Sequence, residues 1–322
     1  MAKKRKPSIK KMPQRTKTTA PSGLSAQSMQ FVANVTYLSG LSYRERRRFL
    51  WNRTKPRTKR FLYKFRVLDP RDPVSIDRIR DLLVRSRMWL SSPVDFNDPF
   101  DMSAKFVVEG TIQEKLQRFK QLQKFVPQMK WSERKRQLHK AVAMNNEQIL
   151  AQVVATSERD TKEAGVYSFA GDPRSILMWA HYGFKHEGLC FVFEVARDPQ
   201  LFLEAADVDY KKEYPVVNWI KFSSEDVKAM ALRKYKSWNY ENEKRLVFFD
   251  EAHTYRHFHP AALRGIIVGL RCKESTLGKL RELLGERAAN HFPSVTLYRC
   301  KKHESEYKLV IVKRCYARKH RR

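Results

Sequence analysis

An α+β fold with a mixed, mainly antiparallel sheet is what this sequence predicts, and three observations carry the prediction. Apolar, β-branched and aromatic runs of strand length recur at uneven intervals. Helical periodicities fall between them without regular strand–helix alternation. No glycine-rich phosphate loop follows any of the strands, which argues against a doubly wound nucleotide fold. With 322 residues, 42% hydrophobic and 12% aromatic, the chain has ample material for a core.

Order is expected to begin at Phe61, where Phe61, Tyr63, Phe65 and Val67 alternate with Leu62, Lys64 and Arg66 as on a strand. A turn from Asp69 to Pro73 leads into a helix marked by Ile76, Ile79, Leu82 and Leu83. Met88 to Ser91 reads as a second strand, closed by Ser92-Pro93. The turn Asp95 to Asp101 is rich in side-chain acceptors. Asx residues bonding their own backbone explain it, and a bound cation is the alternative.

From about 111 to 157 the pattern is helical. Leu116, Phe119, Leu122 and Phe125 share one face, and Trp131, Leu138, Val142, Ile149 and Val153 follow beyond Pro127, so two helices are expected. Their outer faces carry Lys120, Lys124, Lys130, Arg134, Lys135, Arg136 and Lys140, a basic insertion. The central stretch Tyr167 to Glu194 reads strand, short helix, turn, strand, with Asp172 as N-cap and Pro173 at the first helical position. Trp179, His181, Tyr182 and His186 gather where that helix runs out at Gly183. They read either as a binding cluster or as packed aromatics beside exposed histidines.

Further on, Val208 to Tyr210 is a short strand, Ser223 to Lys236 a helix, and Arg245 to Phe249 a buried strand. Strands at 265–269, 295–298 and 307–312 and a helix from Ser275 to Leu284 complete the fold.

Lys and Arg number 65 against 34 acids, a formal charge of +31 that points to polyanionic partners. Residues 1–60 form a basic arm, too polar at its start to fold alone, and 314–322 a basic tail. Lys3, Lys4, Arg5, Lys6, Lys10 and Lys11 are candidate phosphate contacts. So are Arg46, Arg47 and Arg48, which are interleaved with Tyr43, Phe49 and Trp51; a solvated tail is the alternative for all of them. Cys190, Cys272, Cys300 and Cys315 are scattered, with neither a disulfide framework nor a zinc-ligand spacing. A reducing cytoplasm suits them, and no signal peptide or membrane-length apolar run is evident.

Several blocks, in order, carry a family likeness: FLYKFRVLD, WLSSPVDFNDPFD, YSF…MWAHYGFKHEGLCFVFE, VDY, WNYENEKRLVF and GIIVG. Across residues 61 to 313 the chain resembles the bacterial family called domain of unknown function 2971, which implies a fold and a site but no settled activity. It also resembles ADP-ribosyltransferases in the order of its parts: a basic residue on the first strand (Lys64 or Arg66), serines ending the second (Ser91, Ser92), and a Glu-x-Glu entering a late strand (Glu241, Glu243).

That resemblance implies a nicotinamide dinucleotide (NAD) as cosubstrate. Glu243, with Glu241 and His181, would carry the chemistry. Arg66, Ser91, Ser92, Trp179, Tyr182, His186 and Arg245 would bind the substrate. Carboxylate, arginine and aromatic side chains suit a reaction that builds positive charge on a sugar beside a pyrophosphate and a departing ring. The plain alternative is an ion-pair ladder, since Glu241, Glu243 and Arg245 would share one face of a strand.

A second class of function is a non-catalytic nucleic-acid-binding protein of a defence or mobile-element system. Its metal-dependent nuclease variant lacks the required acid cluster and Glu-x-Lys strand. His253, His257 and His259 read as exposed loop histidines, and hydrolysis through Ser168 or Cys190 with His181 has no nucleophile elbow behind it. The W-A-H-Y and Y-E-N-E-K-R blocks are expected to meet at one pocket.

Overall fold

The computed structural model describes residues 35–52, 60–124 and 128–313. Helix α1 (Tyr43–Asn52), preceded by a helical stretch over 35–39, lies ahead of the expected start of order at Phe61. Leu50 and the preceding Leu38 are buried in the main core, with Tyr37 and Phe49 packed against it. Arginines on every side of this apolar stripe disguise it in the sequence. Lys3, Lys4, Arg5, Lys6, Lys10, Lys11 and the tail 314–322 lie outside the described residues.

Strand β1 (Phe61–Arg66) leads to α2 (Pro73–Leu83), which starts where Asp72 accepts from the Val74 amide and Pro73 presets the first turn. After β2 (Arg87–Leu90) and β3 (Lys105–Val107) the insertion holds three helices rather than two: α3 (Ile112–Gln123), α4 (Trp131–Ala143) and α5 (Asn146–Glu163). The unforeseen break is a capping box: the Asn145 side chain accepts from the Gln148 amide at 2.8 Å, and Gln148 accepts from the Asn145 amide at 3.1 Å.

The strand β4 (Gly165–Ala170) is followed by α6 (Ile176–His181) and β5 (Leu189–Glu194). Ser175, and not Asp172, caps α6; Asp172 instead folds back onto the Arg174 amide at 2.9 Å in an Asx turn. Next come α7 (Pro199–Phe202), β6 (Ala206–Asp207), β7 (Asp209–Lys211), β8 (Val216–Asn218) and α8 (Ser224–Leu232). The helix expected to reach Lys236 stops at Leu232, because β9 (Arg233–Tyr235) pairs in parallel with β7. The chain closes with β10 (Glu243–Phe248), β11 (Thr254–His257), β12 (Leu263–Val268), α9 (Glu274–Ala289), β13 (Thr296–Lys302) and β14 (Leu309–Lys313). His257 therefore belongs to a strand paired with β2, not to a loop.

The main sheet runs β14-β13-β12-β5-β1-β4-β10-β6 and is antiparallel except between β12 and β13, whose parallel link is made by α9. This is the mixed, mainly antiparallel α+β architecture the sequence predicts. One face packs Leu62, Phe169, Phe191 and Phe193 against Ile79 and Leu83 of α2 and Leu280 and Leu283 of α9. Each such side chain fully removed from water contributes roughly 1.5–3 kcal/mol. The other face packs Phe65, Cys190 and Ile267 against Met178 and Trp179 of α6.

One seam of the sheet is open. β1 pairs with β5 over six residues and β4 with β10 over six, but β1 and β4 share only the register pair Tyr63–Ala170. At its other end β4 is bridged by Ser91, which exchanges both backbone bonds with Val166 at 3.0 and 2.8 Å. By alternation the backbone groups of Ser168, midway between, face the same gap. The Lys64 ammonium spans it, donating to the Ser168 carbonyl at 2.6 Å in place of a ladder bond.

Candidate functional site

This gap opens into a cavity of about 580 Å³, within the range of roughly 300–1,000 Å³ usual for small-molecule sites. Lys64 and Arg66 from β1 enter beside Tyr167 of β4, whose ring lies 4.4 Å from the Lys64 ammonium and 5.7 Å from the Arg66 guanidinium. Glu243 and Arg245 of β10 face it from the other side of the sheet, with His181 and Tyr182 from the end of α6. Trp89, Phe96 and Trp238 add aromatic walls, and Ser91, Asp95, Asn97 and Asp101 line the far end.

The W-A-H-Y and Y-E-N-E-K-R blocks do meet. Tyr182 donates to Glu241 Oε1 at 2.6 Å, and the His181 Nδ1 lies 3.0 Å from the Tyr240 hydroxyl. Glu241 is not on the strand, however. It closes a 3-10 turn over Lys236–Glu241, and Asn242 follows at φ 44° in the left-handed region. The kink turns Glu241 toward Tyr182 and leaves Glu243 on β10, so the two carboxylates do not form a strand ladder.

Lys234 and Arg245 divide the carboxylates between them. Lys234 Nζ lies 2.6 Å from Glu241 Oε2, 3.1 Å from Glu243 Oε2 and 3.4 Å from Asp101 Oδ2. Arg245, wholly buried, donates to Glu243 at 2.7 and 3.1 Å, to Asp101 at 2.6 Å and to the Ala231 carbonyl at 3.1 Å. Glu243 is thereby saturated.

The two glutamates differ electrostatically. For Glu241, burial pushes the carboxyl above its usual range, and the opposing pull of Lys234 does not cancel it. For Glu243, burial acts the same way but is overcome by Arg245 and then Lys234, and the carboxyl is held well below the usual range. Burial raises Tyr182, and Glu241 adds to it, so the phenol stays a donor. Burial also pushes the Lys64 ammonium well below its usual range, helped by the neighbouring Arg66 charge.

Three residues expected to bind substrate lie elsewhere. Trp179 is completely buried, donating from Nε1 to the Pro173 carbonyl at 2.8 Å and meeting Phe65 edge-on at 5.0 Å, because α6 uses it to cover the second sheet face. His186 stacks on Trp179 in a left-handed turn at φ 70°, where its carbonyl accepts from Arg271 at 2.9 Å. Ser92 is buried, donating to the Lys162 carbonyl at 2.7 Å and capping the short turn that follows. Of the arginines expected to touch nucleic acid, Arg46, Arg47 and Arg48 sit on α1, with Arg47 Nε 3.7 Å from Glu194. His253 pairs with Asp95 at 2.8 Å.

Asp101 and Lys234 were not legible as site residues. Asp101 looked like part of an Asx turn, and Lys234 fell in a stretch with helical pattern. A basic residue ahead of Trp-Asn-Tyr-Glu-Asn-Glu was the only signal available.

Comparison with protein-family models, with curated proteins and with solved structures finds no match for this chain.

Proposed function

We propose that the open seam binds a nicotinamide dinucleotide and breaks its nicotinamide–ribose bond, in the manner of an ADP-ribosyltransferase. The observation that carries this reading is the split between β1 and β4: cations stand on one side of it, and a carboxylate bonded to a phenol on the other. Lys64 and Arg66 are the groups for the pyrophosphate. Tyr182, Trp89 and Trp238 offer ring faces or edges to base and nicotinamide. As the C–N bond breaks, its electron pair leaves with the pyridinium nitrogen, which becomes neutral nicotinamide. Glu241 stabilises the positive charge left on the ribose and takes the proton of the attacking acceptor.

One buried atom in the cavity wall favours a ligand site over a closed core. Asp101 Oδ1 has no hydrogen-bond partner among the described residues, although such groups are nearly always satisfied in native interiors. The block order that resembles domain of unknown function 2971 belongs to the same reading. Binding is tested by thermal shift: the dinucleotide at 100 times its Kd should stabilise the protein by about 2.7 kcal/mol. No shift at millimolar dinucleotide would remove the basis of the proposal.

In the same reading the protein works beside nucleic acid in the cytoplasm. Support comes from its charge of +31 and from Cys190 and Cys300, which are buried free thiols. Among the described residues no helix is long and apolar enough to cross a membrane. The six lysines and arginines from Lys3 to Lys11 should bind phosphates in a salt-dependent way. Because Leu38 and Leu50 belong to the core, a truncation that probes the arm must stop at residue 34. Protein lacking residues 1–34 should melt like the full chain, while its log affinity for duplex DNA against log salt flattens by about 0.9 per lost contact. Superimposable salt titrations would show that the arm makes no contacts.

A further inference from the structure

We propose that the second face of the sheet carries a separate site for single-stranded nucleic acid, in a groove of about 350 Å³ lined by Phe61, Tyr63 and Tyr298 and rimmed by Arg174 and Arg264. Helix α6 meets this face at Phe65, whose ring the Trp179 indole meets edge-on at 5.0 Å. Register places the remaining residues in rows. Tyr63 pairs with Val192, Val192 with Gly265 and Gly265 with Thr296, while Ile267, Tyr298 and Lys313 form the next row. A side chain at Gly265 would meet the Tyr298 ring at 2.8 Å, so the glycine is what lets that ring lie over the sheet.

Charge at the rim suits an anionic strand. Arg47 and Arg264 line the groove together with the buried Glu194 carboxylate and lie 3.7 and 3.0 Å from it, and Arg197 and the Tyr43 hydroxyl reach the same carboxylate from outside the groove. One negative charge thus serves more than one guanidinium. Arg174 is about half exposed, and its nearest carboxylate contact is Asp172 at 4.0 Å. The described chain ends at Lys313, in register with Tyr298, and the sequence beyond it reads Arg-Cys-Tyr-Ala-Arg-Lys-His-Arg-Arg.

Aromatic rings on a sheet with arginines at their edges bind unpaired bases by stacking while the cations track phosphates. Duplex bases are already stacked and cannot use them. The groove is distinct from the split-sheet cavity and does not depend on its chemistry, although Tyr63 borders both.

The test is fluorescence anisotropy of the full chain with a labelled oligo-dT 12-mer and, in parallel, a duplex of the same length. Tyr298→Leu should weaken the single strand about tenfold and leave the duplex, held by the tails, unchanged. Arg174→Ala, at an exposed position, should weaken it severalfold and keeps the test alive if Tyr298→Leu unfolds. Equal single-strand affinity in the folded variants would overturn the proposal. So would parallel losses for single strand and duplex, which would mark a general charge effect.

Discussion

Glu241→Gln protein is expected to bind the dinucleotide with little change and to release nicotinamide at least 100-fold more slowly than wild type. Glutamine keeps the volume and its one carbonyl oxygen can still accept from Tyr182 or Lys234, but it can neither carry the charge that offsets a ribosyl cation nor take a proton. Losses of about 10²–10⁴ are usual for such a group. The same residue sets the pH profile. Burial holds the Glu241 carboxyl above its usual range, so the ionised, active form is reached only at a pH above the ordinary glutamate value of about 4.3. The acidic limb of kcat should accordingly lie above that value and vanish in Glu241→Gln. Equal loss of binding and rate would instead make Glu241 a binding group.

Arg245→Met should have the largest effect on folding. It removes the bonds to Glu243, Asp101 and the Ala231 carbonyl, and it leaves two buried carboxylates with Lys234 as their shared cation. Breaking a buried ion pair from one side costs about 3–5 kcal/mol, which a denaturant titration would read directly. The linkage has a definite sign. Glu243 is depressed in the folded state, so its contribution is complete above its unfolded value of about 4.3 and is lost as pH falls toward the folded one. Wild-type stability should fall along that acid limb, and Arg245→Met should lose most of the slope. A stability change under 1 kcal/mol would show that the network contributes little. Alanine at Glu243 is expected to compromise folding as well, unlike Glu241→Gln.

What the sequence made legible follows from where its patterns are strong. The runs around Phe61, Tyr167, Leu189, Leu246 and Ile266 all became neighbouring strands of one sheet, because apolar alternation and burial on a sheet are the same physical fact. His181, Tyr182, Glu241, Glu243, Arg245, Arg66 and Ser91 do line one cavity, as polar residues at strand and helix ends tend to.

Where the structure departs from these expectations, the causes are local. Trp179 and His186 looked like site residues because aromatic and polar atoms serve cores and ligands alike; only the Pro173 carbonyl, six residues away, decided the indole. Asn242 in the left-handed region separated two glutamates that alternation would have stacked. Lys234 looked helical, and it is pairing with β7, a tertiary effect, that turns it inward.

The most direct measurement of the central claim is nicotinamide release from the dinucleotide by the purified full-length protein, followed by chromatography over hours with and without single-stranded DNA as acceptor. The split-sheet account predicts release above the spontaneous rate, abolished in Glu241→Gln protein that is still folded. Release no faster than in buffer under either condition, or unchanged release in Glu241→Gln, would contradict it.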